Sequence, residues 1–483
     1  MDGSTQRKRA FMATTQLTPE ARLENAATLA AILGLGTESA AETLDLAVTV
    51  TGDPKSPEAQ NIAREVIELL SRTVRHASAL APDSGSAAEL VIGPAPPRTS
   101  GVKVYLSVTA DQVVISTNQQ VPTFCEPIPP ILALLAACYA SAATLYNAIG
   151  GILPFKLPDP FIVRFGELGV NTLSLARPID IGHAYLAGAG AIGNGFLWAA
   201  RHLNFSGRLE IVDDDSVSSG NLNRQIWFER GDIGKAKVDQ LKAKAQPSLP
   251  NLEIVPRRGR LQNLPERTDG PWLRTLIVAV DSRRARRELQ NEFPGEVFDA
   301  STTDIREIVL HYHRQPTKHA CLSCIYEPDD DEFTREQHIA EHLGVTVDEV
   351  RSERISCAAA LAIVSRFRKV QASEIEGMAY DSFFKRLCAE GQLSVIADKR
   401  TIAPFAFVSV LAGTLLALEV ARRMGDETAQ RDFNYWRLSP WFPPLGRRRV
   451  MRPKQLGCAF CGQPIMVAVN AALWYPPASA DVH

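Results

Sequence analysis

The sequence predicts an α/β protein built on a doubly wound, mainly parallel sheet. Two observations carry the prediction. From residue 183 onward, short apolar runs alternate with helical patterns, the order that lays crossover helices over parallel strands. Between the first run, 183–186, and the first helix, 190–203, stands Gly188-Ala189-Gly190-Ala191-Ile192-Gly193, a strand-to-helix turn that only glycine-rich sequence makes well.

Along the chain, residues 1–20 are polar. Residues 21–80 read as helices, because Leu23, Ala26, Ala27, Leu29, Ala30 and Leu33 recur at helical spacing and 59–80 repeats the pattern. The stretch 82–97, rich in Pro, Gly, Ser and Ala, reads as a loop, and 102–108 and 112–116 read as strands. No residue between Glu126 and Lys156 is charged. The run 129–149 is long enough to span a bilayer, but its many alanines, Asn147 and the bracketing prolines favour a buried core helix. In the second half come a strand at 208–212, a helix at 236–245 and a strand at 276–280 that ends at Asp281. Charged amphipathic helices at 329–368 interrupt the alternation as an insertion, and 404–423 gives a second long apolar helix. The expected organisation is a flexible 1–20, an α+β domain at 21–155, the glycine-loop domain at 156–328, a helical insertion at 329–400 and a closing part at 401–483. Both long helices follow a proline, Pro130 and Pro404, and are dense in Ala, Leu and Ser or Gly. Duplication and coincidence both explain that likeness.

At 483 residues with 45% hydrophobic and 22% charged residues, the chain has material for several domains and a large core. Lys+Arg 52 against Asp+Glu 54 leaves a charge of -2, so bulk electrostatics favours neither nucleic acid nor an anionic membrane as partner. Arg7, Lys8 and Arg9 have no apolar run behind them to make a secretory signal. The expectation is a cytoplasmic chain in which paired cysteines mean metal or catalysis.

In the glycine turn, Gly188 permits the tight bend, Gly190 lets backbone approach a phosphate, and Gly193 lets the helix pack while its N-terminus faces the anion. Asp213 ends the next strand after the turn, where a carboxylate meets a ribose. That much suits a dehydrogenase equally. The residues beyond it do not: Asp215, then Asn221-Leu222-Asn223-Arg224-Gln225, then Lys237, then Asp281 with Arg286. A hydride cofactor carries its own reactivity, whereas cleaving ATP develops charge that cations and a carboxylate-held metal must match. Arg224 and Lys237 are the expected phosphate clamps and Asp281 the Mg²⁺ ligand.

With these pieces in this order, 183–290 resembles the adenylation domain of the ubiquitin-activating enzyme family, which includes the ThiF-type adenylyltransferases; with the cysteine pairs below, the resemblance covers 180–465. It implies a Rossmann-like adenylation fold in which Asp213 holds the ribose, Asn221, Arg224 and Lys237 contact the phosphates and Asp281 serves the metal. It implies adenylation of a small β-grasp protein's C-terminal glycine. It also offers two readings of the N-terminal half: a homodimer whose partner lends an arginine, with Arg164 or Arg177 as substitutes, or a fused, inactive adenylation-like domain. The layout further resembles bacterial activating enzymes of ubiquitin-like conjugation systems linked to phage defence, which implies a ubiquitin-conjugating-type partner.

Cys321-x-x-Cys324 and Cys458-x-x-Cys461 are two pairs that stand far apart in the chain. Four thiolates at about 2.3 Å around one ion is the closed arrangement of structural Zn²⁺. Of the other cysteines, Cys138 reads as core and Cys125 lacks chemical context. A thioester-forming cysteine needs exposure and nearby cations. Cys388, behind Lys385-Arg386 and shortly before Pro404, is the expected nucleophile, with Cys357 the alternative. His311, His313 and His319 read as surface or strand residues.

Overall fold

The computed structural model describes residues 17–474 apart from 84, 119–123, 125–126, 170–171, 173, 269, 329, 353, 368–369, 379, 381–382, 385–386, 388–402 and 426–432. Cys388 therefore lies outside the described residues. The chain divides into two compact units, residues 1–325 with 401–483, and residues 326–400.

The first unit holds two sheets. In the N-terminal sheet the strands are β1 (Ala47–Gly52), β2 (His76–Ser78), β3 (Ala88–Ile92), β4 (Val102–Val108), β5 (Gln112–Ser116) and β6 (Phe161–Arg164), ordered β2-β1-β3-β4-β5-β6. The first four are parallel; β5 and β6 are antiparallel. The second sheet contains β7 (Ile179–Ala187), β8 (Phe205–Asp213), β9 (Leu252–Arg258), β10 (Thr275–Val278), β11 (Glu296–Thr303), β12 (Glu307–Arg314), β13 (Tyr435–Leu438) and β14 (Arg449–Val450). Its order is β14-β13-β12-β11-β10-β7-β8-β9; the five strands from β11 to β9 in that order are parallel and the rest antiparallel.

Helices α1 (Pro19–Leu33), α2 (Thr37–Leu44), α3 (Pro57–Ser71) and α4 (Pro130–Ala148) belong to the first half. Helices α5 (Ala191–Ala200), α6 (Lys237–Ala245) and α7 (Arg283–Gln290) belong to the second. In the second unit α8 (Asp330–Leu343) and α9 (Cys357–Arg366) pack Ile339, Leu343 and Ile363 into a small core shared with Phe383. Helix α10 (Ala406–Gly425) returns to the first unit, and α11 (Pro464–Trp474) closes the chain.

The two sheets share one plan. The core order β2-β1-β3-β4-β5-β6 matches β8-β7-β10-β11-β12-β13, and in each the long apolar helix, α4 or α10, falls between the two antiparallel strands. The likeness of the two helices is thus one of topology as well as composition. The second half adds β9 and β14 at its edges. Helix α4 is long and apolar enough to cross a membrane, yet 78% of its apolar window is buried inside the protein, as a core helix requires. Helix α10 crosses α5 where Gly413 meets Gly195: a Cβ on Gly413 would stand 2.2 Å from the Gly195 backbone. That contact seats α5, whose N-terminus carries the glycine turn.

Sequence patterning missed β1 and β3. Strand β1 lies between the two helical patterns of 21–80, with its alternating Thr49 and Thr51 buried on hydrogen bonds to Ser86 and Glu89, and β3 sits inside the stretch read as loop. His311 and His313 are strand residues on β12 and are buried, not surface. The His311 Nδ1–H donates to the Asn434 carbonyl at 2.7 Å, which leaves Nε2 to accept from His313 Nδ1–H at 3.0 Å. Burial holds the His311 pKa down at about 3, against the pull of the Asn434 carbonyl, and pushes His313 well below the usual range. Below about pH 6.5 the unfolded chain binds protons at these rings that the folded chain refuses, so their contribution is complete above that pH and lost as pH falls toward 3. The urea midpoint is therefore expected to drop between pH 7 and pH 5, before carboxylates titrate, and His313→Gln should flatten that drop in equilibrium unfolding curves.

Candidate nucleotide site

The site is built at the ends of β7, β8 and β10. Each glycine of the turn does a separate job. Gly188 has φ +103°, and a Cβ there would stand 2.7 Å from the Ala279 carbonyl oxygen. Gly193 packs so tightly that its Cβ would meet the Gly188 carbonyl at 2.1 Å. Around Gly190, by contrast, a Cβ would meet nothing within 4 Å, so the turn leaves open space beside the N-terminus of α5. That is where an anion is favoured.

Asp213, at the end of β8, accepts from the Ala189 N–H at 2.7 Å and from the Asp215 N–H at 2.8 Å, which fixes the turn to the next strand. Burial raises its pKa, the Lys237 charge lowers it, and the Asp215 charge raises it again; the net direction is up. Lys237, at the start of α6, is buried and its ammonium bonds the Asp215 carboxylate at 2.8 Å. Burial alone would lower the Lys237 pKa, but the charges of Asp213, Asp215 and Asp281 carry it above the usual range.

Arg224 is half-buried on the 218–228 segment, where it donates to Asn223 Oδ1 at 2.7 Å and to the Gly220 carbonyl at 3.2 Å. Burial lowers its pKa, and the charges of Glu24 and Asp281 act against that. Asp281 thus acts electrostatically on both Arg224 and Lys237, so the three groups named from the sequence lie within electrostatic reach of one another. A hard dication takes carboxylate oxygens; Asp213, Asp214 and Asp215 lie close enough together to offer them, while Asp281 stands outside that cluster as a separate carboxylate.

Other members of the motif have more structural work. Asn221 Oδ1 accepts from the Ser218 N–H at 3.1 Å and closes the turn that carries Arg224. Gln225 is buried, and its side-chain oxygen has no hydrogen-bond partner. Arg286 is 2% exposed; it pairs with Asp299 and donates to the Val280 and Ala300 carbonyls, bracing the ends of β10 and β11 beside Asp281. Arg164 lies on β6 and Arg177 in the connector before β7. Sequence reasoning passed over Asn194, the residue after Gly193. It is fully buried, donates to the Ala189 and Gly190 carbonyls at 2.9 Å each, and accepts from the Trp227 N–H at 3.2 Å. A polar residue one step behind the last glycine, inside an otherwise apolar helix, was the available signal.

The four cysteines of the two pairs come together, their sulfurs all within 4.8 Å of one another. The separations Cys321–Cys324 at 3.8 Å, Cys321–Cys458 at 3.7 Å and Cys324–Cys461 at 3.2 Å approximate a tetrahedral tetrathiolate shell. In the second unit Cys357 is exposed at the first position of α9, capped by Ser356; among the described cysteines all others are buried.

Comparison with known proteins places the chain in a family. The family model "ThiF family" matches residues 171–459 and "E1 N-terminal domain" matches 19–171. The first covers more than half of the chain, and the protein belongs to the ThiF family. An uncharacterized protein of Sinorhizobium fredii, y4jF, is 29% identical over 260 residues, 51% of this chain and 49% of that protein. Human ubiquitin-like modifier-activating enzyme 7 is 30% identical over 135 residues, 25% of this chain and 13% of that protein. The NEDD8-activating enzyme E1 catalytic subunit of Dictyostelium discoideum is 31% identical over 102 residues, 21% of this chain and 22% of that subunit. The chain thus spans about half or less of the length of these relatives. A crystal structure of E. coli MccB with SeMet MccA is 12% identical at TM-score 0.35, covering 74% of this chain and 98% of that one.

Removing the Lys237 ammonium leaves Asp213 and Asp215 facing each other unscreened and removes a cation expected to bond phosphate. Lys237→Ala is expected to weaken Mg·ATP binding by about tenfold or more in titration calorimetry, with NAD binding absent in both proteins; unchanged ATP affinity contradicts the assignment.

Proposed function

We propose that the protein activates the C-terminal glycine carboxylate of a ubiquitin-like β-grasp protein with ATP and then holds the acyl group as a thioester on one of its own cysteines. The observation that carries this reading is that both cations are tied to the glycine turn, the Arg224 segment through Asn194 to Trp227 and Lys237 through Asp215 and Asp213, with Asp281 acting electrostatically on both. In the first step a carboxylate oxygen attacks the α-phosphorus, the bond to the β-phosphate oxygen breaks, and pyrophosphate leaves. Arg224, half-buried, and Lys237, buried, are fixed in place by their hydrogen bonds and oppose the charge that develops on the phosphates, which is where fixed cations lower a barrier most. The attacking carboxylate is already ionised, so no general base is needed. Asp213 orients the ribose while holding the turn. Mg²⁺ bound at Asp281 would supply charge neutralisation for the leaving pyrophosphate.

In the second step a thiolate attacks the acyl carbon and AMP departs. Cys388 is the nucleophile favoured by its place before α10, and Cys357 is favoured by its exposure at a helix start. The kinship with ubiquitin-like modifier-activating and NEDD8-activating enzymes supports a β-grasp substrate and a conjugating enzyme downstream. The matched E1 N-terminal domain supports reading the first half as a fused adenylation-like partner. It lacks a glycine turn after β1, where Gly52-Asp53-Pro54-Lys55-Ser56 stands, and an acid at the end of β2.

Pyrophosphate–ATP exchange should appear only when a β-grasp protein ending in glycine is added, and a thiol-sensitive adduct should form on the enzyme. Loss of the adduct with exchange retained identifies the nucleophile, whether in Cys388→Ala or Cys357→Ala. Exchange without any adduct means adenylation alone, and no exchange with any carboxylate substrate rejects enzymatic activation in favour of a nucleotide-binding scaffold.

We also propose one structural Zn²⁺ per chain at Cys321, Cys324, Cys458 and Cys461, joining segments that lie far apart in the sequence. Metal analysis of the purified protein should find about one equivalent, and Cys458→Ser should lower both zinc content and thermal midpoint; zinc-free protein of unchanged stability would contradict it.

A further inference from the structure

The N-terminal half sends one buried hydrogen-bond chain into the segment that carries Arg224. Arg72, at the C-terminal end of α3, is 1% exposed. Its guanidinium donates to four backbone carbonyls of that segment: Leu222 and Ile226 at 2.8 Å, Phe228 at 3.3 Å and Gln225 at 3.4 Å; its Nε bonds Glu68 at 2.9 Å. The four carbonyls lie at and beyond the end of the 3₁₀ turn at Ser219–Asn223, so the guanidinium fork ties together a stretch whose own hydrogen bonding is confined to tight turns.

The chain continues through side chains. The Arg72 carbonyl accepts from Asn25 Nδ2 at 2.7 Å, Asn25 Oδ1 accepts from Asn223 Nδ2 at 2.8 Å, and Asn223 Oδ1 accepts from Arg224 at 2.7 Å. Asn25 and Asn223 are 1% and 0% exposed. Because Asn25 offers its oxygen to Asn223, the Asn223 amide must turn its own oxygen toward Arg224; the orientation of each amide dictates the next. Helix α1 adds a bond from Thr18 Oγ1 to the Ser219 carbonyl at 3.0 Å, so the segment is held along its length by the first half.

We infer that Asn25 and Arg72 are positioning residues for Arg224: the N-terminal half, without a glycine turn of its own, aims the arginine of the other half at the nucleotide phosphates. Neither residue touches nucleotide; both act through Arg224. The inference rests on the proposed role of Arg224, and its test separates the two.

Mg·ATP affinity is measured by calorimetry on the full chain in four forms: unchanged, Asn25→Ala, Arg224→Ala and the double variant, with circular dichroism confirming the fold. Asn25→Ala is expected to weaken binding by about three- to tenfold, the size of one lost hydrogen bond to a charged group. In the Arg224→Ala background the same change should add less than about twofold, because coupled positions do not add. A factor of the same size in both backgrounds, or full affinity in Asn25→Ala, overturns the positioning role while leaving the nucleotide site intact. Full affinity in Arg224→Ala overturns the site itself, and with it the inference. Should Asn25→Ala not fold, Asn25→Ser, whose shorter side chain no longer spans to Asn223, gives the same comparison.

Discussion

Two cations, Lys237 buried and Arg224 half-buried, are held near the glycine turn, and the rest of the site depends on the groups that keep them charged there. Desolvation works against both Lys237 and Arg224. Lys237 stays charged because Asp213, Asp215 and Asp281 surround it, and Asp281 with Glu24 does the same for Arg224. Those acids are fixed in turn: Asp213 by the glycine turn, Asp281 by a strand end that Arg286 braces. An anionic ligand entering at Gly190 therefore meets charges already in place, and little reorganisation is required of them.

The same constraint gives a reason for the duplicated plan. Arg224 sits on a segment between β8 and α6 with little ladder hydrogen bonding, so something outside must hold it. Asn194 ties that segment to the glycine turn from within the second half, and Arg72 and Asn25 tie it from the first. Glu65 on α3, hydrogen-bonded by Trp198 at 2.9 Å and paired with Arg201, joins α3 to α5 as well. Burial would raise the Glu65 pKa, but His202, Arg201 and Trp198 hold it below the ordinary carboxylate range, so the junction stays ionic. The half without a phosphate turn thus makes buried hydrogen bonds to the segment and helix that flank the turn of the other half.

Legibility in the sequence followed distance along the chain. The glycine turn, Asp213, Lys237 and the cysteine pairs could be named because each signal is local or repeats a fixed spacing. The core helices α4 and α10 were legible because length and scarcity of charge need no partner to interpret. Strands β1 and β3 were not: β1 is a short run between two stronger helical patterns, and β3 is a buried apolar run inside a stretch rich in Pro, Gly and Ser. Arg72 looks like one more charge on an amphipathic helix; the carbonyls it serves belong to a segment of the other half, remote in sequence. Arg286 was grouped with Asp281 by proximity, and only the fold separates the brace from the group it supports.

A crystal structure with Mg²⁺ and a non-hydrolysable ATP analogue tests the central claim most directly. The account predicts the triphosphate against Gly190 at the start of α5, with the Arg224 and Lys237 side chains within hydrogen-bonding distance of phosphate oxygens and the metal on Asp281. A nucleotide bound elsewhere, or phosphates that leave Lys237 on Asp215 and Arg224 on Asn223, would contradict it.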